Sequence, residues 1–106
     1  RRRAGKGTGM AKQALIVAFD VKPAALPAFL AILREHAVKT LEEEAGCERF
    51  DVLTSRDGGP IVHLYEVYRD EAAFELHRES ARLVAVRDRY RDLINGRSLT
   101  ACEILD

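Results

Sequence analysis

No apolar run in this sequence approaches the ~20 residues that a membrane-spanning helix needs. Its first residues lack the apolar stretch of a secretory signal, so the expected setting is the cytoplasm. Cysteine is scarce. Cys47 and Cys102 have no second Cys or His at ligand spacing, so they form neither a disulfide framework nor a metal site and read as packing residues on strands. The three histidines likewise lack the helical or short-loop spacing of known metal sites, and no metal is expected. A nucleotide-binding glycine fingerprint is missing too, because Gly58-Gly59 precedes a strand and not a helix N-terminus. Neither charge sign dominates, with 17 basic and 17 acidic residues. The basic charge is front-loaded, however. Arg1, Arg2, Arg3 and Lys6 stand among the first nine residues without an acid, which leaves the remainder acidic and argues against a nucleic-acid surface there.

What is present suits one domain of 106 residues, 47% apolar and 32% charged. Residues 1–12 have no apolar periodicity and read as a disordered basic leader, too weakly charged to hold phosphate or acidic lipid against salt. Residues 13–106 read as the folded domain. Ala14 to Val21 is a nearly continuous apolar strand, with both faces expected to be buried. Pro23 and Pro27 suit a turn and the first positions of a helix. From Ala24 to Glu44 the residues Leu26, Phe29, Leu30, Leu33, Ala37 and Leu41 mark an amphipathic helix, with His36 at the margin of its stripe. Glu42-Glu43-Glu44 reads as a solvated end, and Gly46 as the stop.

Cys47 to Ser55 alternates as a second strand, and Asp57-Gly58-Gly59-Pro60 turns it into a third, Ile61 to Tyr68. Asp70 offers a side-chain cap to a helix carrying Phe74 and His77 on one face. Ser80 starts another helix whose apolar pattern runs through Leu83, Val84, Val86, Tyr90, Leu93 and Ile94, with Asn95-Gly96 ending it. Leu99 to Leu105 is the fourth strand. Right-handed crossovers through strand, helix, strand, strand, helix, strand give an α+β, ferredoxin-like βαββαβ antiparallel sheet with helices on one face. Strands two and four then lie at opposite edges, putting Cys47 and Cys102 about 14 Å apart, beyond disulfide reach within one chain. The helices cover one face, yet strands one and three are apolar on both, so a second copy is expected to seal the bare side as a homodimer.

Gly46-Cys47-Glu48-Arg49-Phe50-Asp51-Val52, Leu64-Tyr65-Glu66-Val67-Tyr68 and Asp70-Glu71-Ala72-Ala73-Phe74 with His77 together resemble the antibiotic biosynthesis monooxygenase domain family over residues 13 to 106. The resemblance implies a dimeric α/β barrel with a small-molecule pocket between sheet and helices. That family includes cofactor-independent monooxygenases of phenols and quinols, haem-degrading enzymes, an isomerase-like enzyme of a phosphorylated quorum-signal pathway, and members without a known substrate. It matches His77 to the histidine after Ala-Ala-Phe, Glu66 and Tyr68 to a Tyr-Glu-x-Tyr strand, and His36 to a first-helix asparagine or histidine. Haem degradation is disfavoured: the sequence has no tryptophan for the pocket, and Val17 stands about where haem degraders carry an asparagine. Ser80-Ala81-Arg82-Leu83 also replaces the family's Ser/Thr-Pro-His-aromatic segment.

His77 has two readings: a general base or electrophile for an acidic substrate proton, or a core-margin histidine bonded to backbone or to Glu66. Glu66 needs a partner if buried, either His77, whose ring it would orient, or Arg49 on the next strand. These two are the catalytic candidates, with His36, Tyr68, Phe50 and Phe74 as substrate-binding candidates. His63 faces the opposite side of the sheet. The enzyme reading is a monooxygenase in which O2 reacts directly with the deprotonated substrate, needing no cofactor. An isomerase using the same base, or a non-catalytic ligand-binding dimer, are the alternatives.

Overall fold

The β-branched and aromatic runs form strands, and the 3–4-spaced runs form helices, in the anticipated order. The computed structural model describes residues 9–105. The basic leader lies largely outside them. Its last residues, 9–12, are bonded to the domain: Gly9 carbonyl accepts from Glu71 N–H (3.1 Å) and Lys12 carbonyl from Ile104 N–H (2.9 Å). Strand β1 covers Gln13–Val21, helix α1 Leu26–Glu43, β2 Cys47–Thr54 and β3 Ile61–Tyr68. Helices α2 (Glu71–Arg78) and α3 (Ala81–Tyr90) follow, then β4 (Ile94–Glu103). The sheet order is β2-β3-β1-β4, antiparallel throughout, so the fold is ferredoxin-like α+β.

Period-2 alternation decides what each strand shows to the helices. Leu15, Val17, Phe19 and Val21 of β1 and Val62, Leu64, Glu66 and Tyr68 of β3 are buried beneath them. Phe19, Phe29 and Tyr90 pack edge to face with centroids 4.9, 5.3 and 5.5 Å apart, locking β1, α1 and α3 together. Each such contact adds about 0.5–1.5 kcal/mol beyond the area it buries. The opposite sheet face carries Ile16 beside Tyr65 and Ala18 beside His63. On that face Ala14 is buried, whereas Ile16 is 44% exposed in the single chain.

The fourth strand begins at Ile94, not Leu99, and Asn95-Gly96 lies inside it. Tyr90 ends α3, and Arg91–Leu93 form a 3-10 turn. Asp20 pairs with Gly96 but Val21 with Ile94, so Asn95 is the extra residue of a bulge. Bulges favour the same residue types as helix stops, which is why the two signals look alike in sequence.

Candidate active site

Two local devices aim the side chains. Asp70 caps α2 by accepting from Ala73 N–H (2.9 Å), and Ser80 caps α3 by accepting from Leu83 N–H (3.1 Å). Between α1 and β2, Gly46 lies so close to α2 that a Cβ there would stand 2.4 Å from the Ala73 Cβ. That approach delivers Glu44, the residue capping the C-terminus of α1, to His77.

His77 is buried, 2% exposed. Its Nδ1 lies 3.0 and 3.2 Å from the two Glu44 oxygens. The same carboxylate accepts from Arg82 Nη2 at 2.6 Å, and Arg82 also bridges to Glu43 and reaches Thr40 Oγ1 (3.5 Å). A carboxylate accepts, so Nδ1 carries the ring proton and Nε2 presents a lone pair. Burial lowers the His77 pKa, against the opposing pull of Glu44, so the ring is neutral near pH 7. Nε2 is 3.6 Å from Glu66 Oε1, near but outside hydrogen-bond length.

Glu66 accepts instead from the Tyr68 hydroxyl at 2.7 Å. Burial raises its pKa to about 7, although the Tyr68 hydrogen bond opposes the shift. Near neutrality its carboxyl therefore exists in both protonation states. Burial also pushes the Tyr68 phenol far up, which keeps it a donor. His36 is buried with its Nδ1 unpartnered, its ring edge-on to Phe50 at 5.2 Å and 6.0 Å from that of His77. Burial takes its pKa down to about 4, so it too is neutral.

These groups border a cavity of about 80 Å³ between sheet and helices, open to solvent on one side. His77, Glu66, His36 and Phe74 line it among apolar side chains such as Leu33 and Val86. Tyr68 and Phe50, two of the substrate-binding candidates, do not. Tyr68 packs against His77 (5.0 Å) and Phe74 (5.7 Å) with tilted rings, and Phe50 edge-on against His36, so both support the wall from behind. Arg49 bridges Asp51 and leaves Glu66 to Tyr68. Among the described residues, no group of three His, Cys, Asp or Glu side chains is placed to hold a metal ion.

The residue holding the His77 ring most closely is Glu44, not Glu66. The acidic run at the end of α1 is only partly a solvated end, because the Glu44 side chain is 17% exposed. A signal for this was present: Leu33, Ala37 and Thr40 continue at helical spacing to Glu44 on the buried face. On α3 the inward stripe is Leu83, Val86, Arg87 and Tyr90, whereas Val84 points outward, 56% exposed.

A family model described as antibiotic biosynthesis monooxygenase matches residues 13–89. Rv0793 of Mycobacterium tuberculosis, provisionally named a monooxygenase, is 35% identical over 81 residues, 76% of this chain and 78% of that protein. Its solved structure is similar with a TM-score of 0.81 at 30% identity, covering 91% of this chain and 97% of that one. A Caulobacter crescentus structure has a TM-score of 0.86 at 16% identity over 92% of this chain and 93% of its own, which shows the shared fold.

Proposed function

The chain belongs to the antibiotic biosynthesis monooxygenase family, and from that premise we propose that it is a cofactor-independent monooxygenase whose substrate, a small aromatic, quinol or enol-type molecule, occupies the cavity beside His77. The observation carrying this reading is a neutral imidazole held at Nδ1 by Glu44, with its Nε2 lone pair at the wall of a largely apolar cavity.

Nε2 removes a proton from the activated carbon or hydroxyl of the substrate, and Glu44 stabilises the imidazolium that forms. The carbanion gives its electrons to O2, forming a C–O bond, and the peroxide takes the proton back from His77. Loss of the second carbon-bound proton and of hydroxide, which combine as water, leaves a carbonyl. For a methylene the sum is R2CH2 + O2 → R2C=O + H2O. All four electrons come from the substrate carbon, so the balance needs no outside reductant. Exclusion of water by the apolar wall keeps the carbanion from simple reprotonation. Glu66, 3.6 Å from Nε2 and able to hold or release a proton near pH 7, is the second proton-handling group.

The bare sheet face around Ile16 and Tyr65 supports a homodimer closed sheet to sheet. Two free thiols suit a reducing compartment, and the cytoplasm is the setting proposed. Oxygen uptake with a panel of quinols and hydroxyanthrones tests the function. Uptake lowered about 10²–10⁴-fold by His77→Ala supports the base. Uptake unchanged by that substitution rejects it, and no uptake with any substrate favours isomerisation or ligand binding without turnover.

A further inference from the structure

Resting on the reading of this cavity as the substrate site, we infer that its substrate carries a carboxylate, and that Arg87 is the residue that binds it. The cavity stripe of α3 is apolar except at this residue: Leu83, Val86 and Tyr90 are buried around it, and the Arg87 side chain is half-buried among them. Its Nε is buried without a hydrogen-bond partner. The Nε of Arg82 is likewise buried without a partner, but the neighbouring arginines all carry ion pairs: Arg78 to Glu75, Arg82 to Glu43 and Glu44, Arg89 to Glu35, Arg91 to Asp88. Arg87 has no ion pair among the described residues.

The carboxylate on the cavity wall is already engaged. Glu66 accepts from Tyr68, and Arg87, whose charge Glu66, His36 and His77 all feel, does not come within ion-pair distance of it. A second cation, Arg97 on β4, borders the same cavity and is also unpaired among the described residues. With both imidazoles neutral and Glu66 partly protonated, the cavity is left with surplus positive charge.

Such a cavity is completed by an anion. A guanidinium half-withdrawn from water, with an unused N–H, matches a planar carboxylate through two parallel hydrogen bonds. The apolar remainder takes the ring system. The carboxylate then anchors the molecule on the α3 side and leaves its reacting carbon or hydroxyl toward His77 and Glu66.

Anaerobic calorimetry on the full chain with 1-hydroxy-2-naphthoate, its methyl ester and 1-naphthyl phosphate tests this without turnover. The acid is expected to bind at least about tenfold more tightly than the ester. Arg87→Gln should reduce that ratio to near one, and Arg87→Lys should retain part of it, since charge survives without the planar fork. Equal affinity for acid and ester, a preference surviving Arg87→Gln, tighter binding of the phosphate, or no saturable binding of the three overturns the inference. The wild-type ratio decides even if a variant fails to fold. Acid preference without oxygen uptake by any substrate defeats only the oxygenase reading. Oxygen uptake with neutral hydroxyanthrones and no acid preference defeats only this one.

Discussion

Glu44 Oε1 sits 3.0 Å from His77 Nδ1, joining the end of the first helix to the second helix across 33 positions of sequence. The pair fixes the tautomer: with Nδ1 donating, Nε2 is the atom left to act on a substrate. Arg82 holds the other side of the same carboxylate. The segment that departs from the family's Ser/Thr-Pro-His-aromatic pattern thus supplies the cation that steadies the carboxylate.

Glu44→Gln should slow any turnover by about 10–100-fold, the usual cost of losing an orienting carboxylate. Because Glu44 raises the His77 pKa against the burial that lowers it, its loss should move that pKa further down. Histidine NMR titration reads the shift, and the acid limb of the rate profile should move to lower pH with it. A rate loss without either movement would reduce Glu44 to a packing role.

Gly46→Ala puts a methyl 2.4 Å from the Ala73 Cβ, and backbone rather than a flexible side chain must yield. Overpacking of this kind costs about 1–3 kcal/mol. Denaturant unfolding should show that loss, together with weakened contact between Glu44 and His77. Ala73→Gly in the same chain should recover most of it. An additive double variant would mean the two residues do not share the strain.

What was legible in the sequence was local. The ends of β3 followed from its alternation up to Tyr68, and the Asp70 and Ser80 caps from side chains bonding N–H groups three residues on. The role of Glu44 was hidden because its partners lie 33 and 38 positions away, while its neighbours Glu42 and Glu43 are exposed. The turn at Ser80 resets the helical phase, so the apolar pattern points to Val84 rather than Arg87 for the inward stripe of α3. A charged residue facing a cavity breaks the patterning rule by which a core is recognised. Glu66 and His77 were readable as neighbours, but not the 3.6 Å that separates them, since Tyr68 captures the carboxylate.

Ile16 tests the dimer. It lies opposite Tyr65 at the centre of the bare sheet face and is 44% exposed in a single chain. Sedimentation of the wild-type protein at micromolar concentration should give twice the chain mass. Ile16→Glu should shift it toward one chain mass with secondary structure kept, because a charge buried at a two-fold contact meets its own copy. A wild-type monomer would remove the proposed lid.

Two buried groups give stability opposite dependences on pH. Glu66 has a folded pKa of about 7 against 4.5 for the exposed group, so between those values the folded state holds a proton that the unfolded chain releases. Its contribution is complete below pH 4.5 and is lost as pH rises to 7, by about 3 kcal/mol for a shift of that size. His36 runs the other way. Its folded pKa of about 4 lies below the ordinary 6.5, so below 6.5 the unfolded chain binds a proton that the folded state refuses. Stability from this group is complete above pH 6.5 and falls as pH drops toward 4. The two windows nearly coincide and the effects oppose, so their contributions to the wild-type profile from pH 4 to 7 should largely cancel. Substitution separates them. Glu66→Gln, which keeps an acceptor for Tyr68, should unmask stability that rises with pH across the window and make the variant gain on the wild type above pH 6. Relative to the wild type, His36→Phe should lose stability as pH rises from 4 to 6.5, a difference that isolates His36 because His77, whose pKa burial also lowers, is common to both. Urea midpoints measured at half-unit pH steps for the three proteins check both slopes, and parallel curves would mean that neither group carries its proton as its burial dictates.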